Sequence, residues 1–164
     1  MTEPSAGASL DGDDLATWAA LATVLEWLPP ALDAPLVREF ELTHFEYGVL
    51  YALAAADGRQ LRVSTLAGYA NSTISRVSRA VSRLQLRRLV ERRRDALDGR
   101  SMLVALTAEG AELYDRATPV HAESVQHFVL GALTAAQRRQ LREIAGRIQR
   151  AVRQDDGWTP PAPD

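Results

Sequence analysis

Arg76, Arg79, Arg83 and Arg87 recur at intervals of three, four and four residues, with Ser72, Thr73, Ser75, Ser78 and Ser82 set among them. On a helix advancing about 100° per residue, this spacing gathers the arginines into one stripe. Ile74, Val77, Val81 and Leu84 fall on an apolar face centred roughly 130 to 140° away. Guanidinium groups donate in pairs to phosphate oxygens and guanine edges, and short hydroxyl side chains let a helix approach another surface while still hydrogen bonding. The chemistry this implies is recognition of a polyanion, not bond breaking. A second arginine set, Arg92, Arg93, Arg94 and Arg100, lies in and between two alternating segments, LVERRR and SMLVALT.

The charge distribution supports the same reading. Residues 1–57 carry ten acids and one Arg, residues 58–100 eleven Arg and three acids, and residues 101–164 seven Arg and eight acids. The formal net charge of −2 hides a strongly cationic quarter of the chain. A solvated arginine face is the bland alternative.

Other chemistry is poorly supplied. With no Cys there is no disulfide framework, thiolate nucleophile or Cys-based zinc site, and the cytoplasm is the expected compartment. His121 and His127 are six residues apart, about 120° off a common helical face, so no His metal pair is indicated. No Walker A, G-x-S-x-G or G-x-G-x-x-G motif occurs, and the serines around residue 75 lack a neighbouring base. We expect no enzyme activity, no cofactor and no metal. Nor does the N-terminal segment look like an export signal, and no run reaches 18 consecutive apolar residues, so no membrane association is expected.

The elements that must position the arginines follow from helix and turn signals in a chain of 164 residues, 46% of them apolar, one domain's worth of core. Residues 1–12 and 154–164 read as mobile tails. A helix from Asp14 to Leu28 is expected to stop at Pro29-Pro30, with a shorter helix, broken near Pro35, leading to Phe40. Thr43 and Glu46 form a capping-box pattern, flanked by Leu42 and Tyr47 as a hydrophobic staple, for a helix over about 44–56. Ser64 is a candidate cap for a helix over 65–70, and Asn71, Ser72 and Thr73 for the arginine-bearing one, a helix-turn-helix pair.

The alternating segments predict a two-stranded β-wing, with Val90, Met102, Val104 and Leu106 inward and a turn at Asp98-Gly99. Thr107 opens a long helix to about Gly131 with a kink at Pro119, and Thr134 with Gln137 opens a last one bearing the apolar stripe Leu141, Ile144, Ala145, Ile148 and Val152. That stripe has no partner within so small a module, which predicts a homodimer.

Taken together, these residues resemble the MarR family (multiple antibiotic resistance regulators) of winged helix-turn-helix transcription factors. Asp98, Arg100, Leu106 and Thr107 match that family's D-x-R-x5-L-T wing pattern, supported by STISRVSRAVSRLQLRRLVERR and the order of elements. The resemblance is close over about residues 42–110. It implies a mainly α fold with a small β-wing: a winged module at 42–107 between dimerisation helices at 13–41 and 108–153. It also implies a DNA-binding regulator, in the first instance a repressor of an inverted-repeat site, released by a small aromatic ligand. Ser72, Thr73, Ser75, Arg76, Ser78, Arg79, Arg83, Arg94 and Arg100 are the expected DNA contacts, with Arg76 and Arg79 on base edges and Arg83 on phosphate. Asp98 and Gly99 are expected to hold the wing, and Trp18, His44 and Tyr47 to line a ligand pocket. The rival reading is a winged-helix dimer that binds other proteins. The sequence departs from the family at Arg88, where Gly is usual. A left-handed cap there costs a non-Gly residue about 1 kcal/mol, so either the helix ends differently or the strain is tolerated.

Overall fold

In a computed structural model, residues 9–95 and 102–152 are described. Helix α1 (Gly12–Phe40) leads into α2 (His44–Ala55), strand β1 (Gln60–Arg62), α3 (Val63–Tyr69) and α4 (Ile74–Leu86). Strands β2 (Val90–Arg94) and β3 (Met102–Leu106) precede α5 (Ala108–Val125) and α6 (Ala135–Val152). Asp98, Gly99 and Arg100 lie outside the described residues.

The expected break at Pro29-Pro30 does not occur. Pro29, Pro30 and Pro35 all lie inside a single 29-residue α1. Pro29 and Pro30 are exposed, and the carbonyls they leave without a helical donor belong to Leu25 and Glu26, which are exposed too and open to hydration. Leu32 and Leu36 are buried just beyond, and α1 packs along α5, so tertiary burial overrides the local penalty. By length and composition α1 is apolar enough to cross a membrane. Near its C-terminal end Leu36 joins the core, with Phe40 packed against it.

Helix α2 starts as its capping pattern requires. Thr43 Oγ1 accepts from the Glu46 N–H at 3.1 Å, and Glu46 Oε2 accepts from the Thr43 N–H at 3.0 Å. Leu42 and Tyr47, on either side, join one core with Leu50, Leu53, Leu66, Val77, Val81 and Leu84.

The wing is part of a three-stranded antiparallel sheet in the order β1-β3-β2, not a two-stranded hairpin. The short β1 pairs Leu61 with Val104, while β2 pairs Arg92 with the same residue from the other side. Because the chain passes straight from β1 into α3, Arg62 occupies the N-cap without a side-chain capping bond, and Ser64 lies inside the helix rather than capping it. Val90 and Val104 are buried as expected, but Met102, at the far end of β3, is 40% exposed.

Helix α4 is capped by Thr73, whose Oγ1 accepts from the Arg76 N–H. Val77, Ala80, Val81 and Leu84 are buried, but Ile74 is 59% exposed. Residues 73–76 are exposed throughout, so the first turn projects beyond the core and takes Ile74 with it. At the other end Arg88 adopts φ +59°. The Arg88 N–H donates to Gln85 O and the Leu89 N–H to Leu84 O, the paired bonds of a Schellman cap, with Leu84 and Leu89 both buried. The helix ends in the left-handed conformation with Arg in the place glycine would favour, and the two bonds and the apolar contact offset the strain.

Thr107 caps α5 and also holds this corner: its Oγ1 donates to Arg88 O at 2.7 Å and accepts from the Gly110 N–H at 2.9 Å. A Cβ on Gly110 would fall 2.0 Å from Leu89 O, so α5 sits against the corner only because residue 110 has no side chain. Pro119 lies within α5, and the helix widens to π-type bonding further on, at Gln126–Leu130. Thr134 and Gln137 form the second capping box. No residue of α6 is buried.

Candidate nucleic-acid interface

Four arginines were expected to form one free cationic stripe on α4, and the structure divides their labour. Arg87 donates from Nη1 to Glu41 O at 2.7 Å and from Nη2 to Phe40 O at 2.8 Å, gripping the C-terminal end of α1. Arg83 places Nε 2.6 Å from Oε1 of Glu46, whose carboxylate is buried and already tied to Thr43. Its Nε is thus committed to a buried carboxylate, while the side chain stays 57% exposed. Arg76 lies over the Phe45 ring at 4.5 Å, a cation–π contact that leaves its N–H edges open. Arg79 is exposed and has no hydrogen bond or ion pair among the described residues.

The hydroxyl residues divide likewise. Thr73 and Ser75 are exposed at the projecting first turn, their hydroxyls 3.1 Å apart. Ser72 is half-buried, with an Oγ that has no partner among the described residues. Ser78 faces the sheet, where its carbonyl and hydroxyl oxygens accept from Arg92 Nη2 at 2.8 and 3.1 Å; Ser82 joins the same guanidinium. Arg92 therefore ties wing to helix. Arg93 pairs with Glu91, and Arg94 is exposed at the end of β2. Sequence reasoning missed Arg62, whose guanidinium holds the buried Asp95 at 2.7 Å and ties the end of β2 to the start of α3. No spacing rule links residues 33 positions apart. Thr73, Ser75, Arg76, Arg79 and Arg94 are thus exposed, and Arg83 is exposed but ion-paired, with Arg100 outside the described residues.

The expected pocket residues do not meet as a group. Tyr47 is buried and stacks on His121 at 4.3 Å and on Tyr114 at 5.6 Å, and its hydroxyl lies 3.3 Å from Thr118 Oγ1. Burial pushes its phenol up to about 12. His44 stacks on His121 at 5.2 Å, and burial holds both imidazoles below their usual value, with Asp33 opposing the shift at His44. Trp18 is 51% exposed on the N-terminal half of α1 and belongs to neither this stack nor the neighbouring cleft. That cleft, about 390 Å³, is lined by Pro29, Asp33, Thr43, His44, Phe45, Arg76, Arg79 and Arg83. Among the described residues no cluster could hold a metal.

Comparison with known proteins meets this geometry directly. The family model described as MarR family matches residues 40–101. The transcriptional regulator HosA of Escherichia coli O127:H6 is 32% identical over 108 residues, 66% of this chain and 78% of the relative. Among solved structures, Sco3205, a MarR family regulator from Streptomyces coelicolor in complex with DNA, is 31% identical with a TM-score of 0.87, covering 96% of this chain and 98% of its own. PcaV from the same organism, in complex with its natural ligand, is 29% identical with a TM-score of 0.66, covering 89% of this chain and 99% of its own. A cationic helix exposed beside a β-wing, in a chain that matches such relatives across most of their length, places this protein in the MarR family: it is a DNA-binding transcriptional regulator and not an enzyme.

Proposed function

We propose that the protein acts as a homodimer that represses transcription from an inverted-repeat site and leaves it when a small aromatic carboxylate or phenol binds. The observation that carries the dimeric reading is α6: Leu141, Ile144, Ile148 and Val152 are all 42 to 60% exposed, an apolar stripe that nothing among the described residues covers. Two copies related by a two-fold axis would present two α4 helices to successive major grooves, about 10 base pairs apart. Arg76 and Arg79 then read base edges while Thr73 and Ser75 support them, and Arg94 of the wing lies toward the flanking DNA.

The ligand reading rests on the cleft between α1, α2 and α4. Phe45 and Pro29 offer apolar faces there, and Arg76 and Arg79 offer cations for a carboxylate. The likeness to PcaV, which binds a natural ligand, supports it. A ligand in this cleft would engage the arginines that face DNA, so the two would compete. Of the residues expected to bind it, only His44 lines the cleft.

Selection of bound sequences from random duplex DNA, repeated with a phenolic acid present, tests both parts. An enriched palindrome that is lost with the acid is the expected result. Enrichment of no sequence, with retention of an acidic protein instead, would replace DNA reading by a protein-binding role.

A further inference from the structure

Residues 40–46, the junction between α1 and α2, hold α4 along its whole length: Phe45 under Arg76 in the first turn, Glu46 on Arg83 in the middle, and the carbonyls of Phe40 and Glu41 on Arg87 at the end. The last contact differs from the other two because its acceptors belong to the end of α1, the long helix whose exposed N-terminal half faces away from this core. Those carbonyls lack helical donors of their own, and they sit at the negative end of the helix dipole. A planar guanidinium can satisfy two of them at once with a fixed direction, which an ammonium cannot.

We propose that Arg87 is a positioning residue that sets the angle between α1 and α4, and through it the half-site spacing the dimer accepts. The inference rests on the dimeric reading given above. Arg87 spends both terminal nitrogens on protein oxygens, so it contributes little to phosphate binding although it belongs to the arginine stripe. Removing it frees the C-terminal end of α4 from α1 while Thr73, the Schellman cap and the buried face still hold the helix itself.

The test compares wild type, Arg87→Met and Arg87→Lys on the selected palindrome and on versions with one base pair inserted or removed at its centre, alongside random duplex DNA at several salt concentrations. Wild type should favour the native spacing by on the order of ten-fold, and Arg87→Met should reduce that preference to about three-fold or less. Affinity for random DNA and its salt slope should stay as in wild type. Arg87→Lys, which keeps the charge but reaches one carbonyl at a time, should fall between them and serves if the Met variant does not fold. A salt slope shallower by about 0.9 in Arg87→Met would show a phosphate contact and overturn the proposal. An unchanged spacing preference would also overturn it. Absence of any spacing preference in wild type would remove the dimeric operator reading beneath it, a result distinct from either.

Discussion

Arg83 Nε lies 2.6 Å from Oε1 of Glu46, joining the arginine-bearing α4 to a carboxylate that is itself part of a helix cap. Glu46 is 5% exposed, and its other oxygen accepts from both the N–H and the hydroxyl of Thr43. One side chain therefore starts α2 and seats α4. Arg83→Ala leaves that buried carboxylate without its counter-charge and should cost about 1 to 3 kcal/mol, less than a fully buried pair because the arginine is half solvated. Denaturant unfolding measures the loss, and the salt slope of DNA binding should not change.

Arg79 should behave in the opposite way. It is exposed and bound to nothing among the described residues, so Arg79→Ala should leave stability within about 0.5 kcal/mol of wild type. Loss of a bidentate base contact should cost about 1 to 3 kcal/mol of binding and relax preference at one position of the site. Competition with single-position variants of the selected sequence reads both.

Ile148→Asp places a charge in the middle of the exposed stripe of α6. Interfaces of the obligate kind bury roughly 2,000 Å² or more, at about 25 cal/mol per Å² of apolar area. Sedimentation should show dimers for wild type and monomers for the variant at micromolar concentration. Retention of the helical circular dichroism signal separates dissociation from unfolding.

The pH dependence follows from His44 and His121. Both imidazoles are held below their usual 6.5 chiefly by burial, so the unfolded chain binds more protons than the folded one once the pH drops past that value. Their neutral stack is fully present above pH 6.5, and its contribution is lost as the pH falls through the lowered folded values. His121→Phe keeps a ring against Tyr47 and His44 but removes one proton site, so its thermal midpoint should fall less between pH 7 and pH 5 than that of wild type.

What the sequence made readable was local. Both capping boxes, the Thr73 and Thr107 caps and the strands of the wing depend on residues a few positions apart, and each stands where its pattern places it. Strand β1 is three residues long and is a strand only because β3 lies beside it. The continuity of α1 through three prolines depends on what Leu32 and Leu36 bury against. The same limit applies to the arginines. Spacing gathered them on one face, but their partners, Glu46 and the carbonyls of Phe40 and Glu41, lie 37 to 47 positions away, and only the fold separates an arginine left free from one bound to the protein.

The carbonyl of Leu89 accepts from the N–H of Thr107, shares its hydroxyl proton with Arg88 O, and leaves no room for a side chain at Gly110. Helix α4, the wing and the first turn of α5 meet at this single oxygen, and none can slide past another without breaking a bond or opening a void. The three elements are therefore one unit, and a displacement of α4 carries the wing and the start of α5 with it.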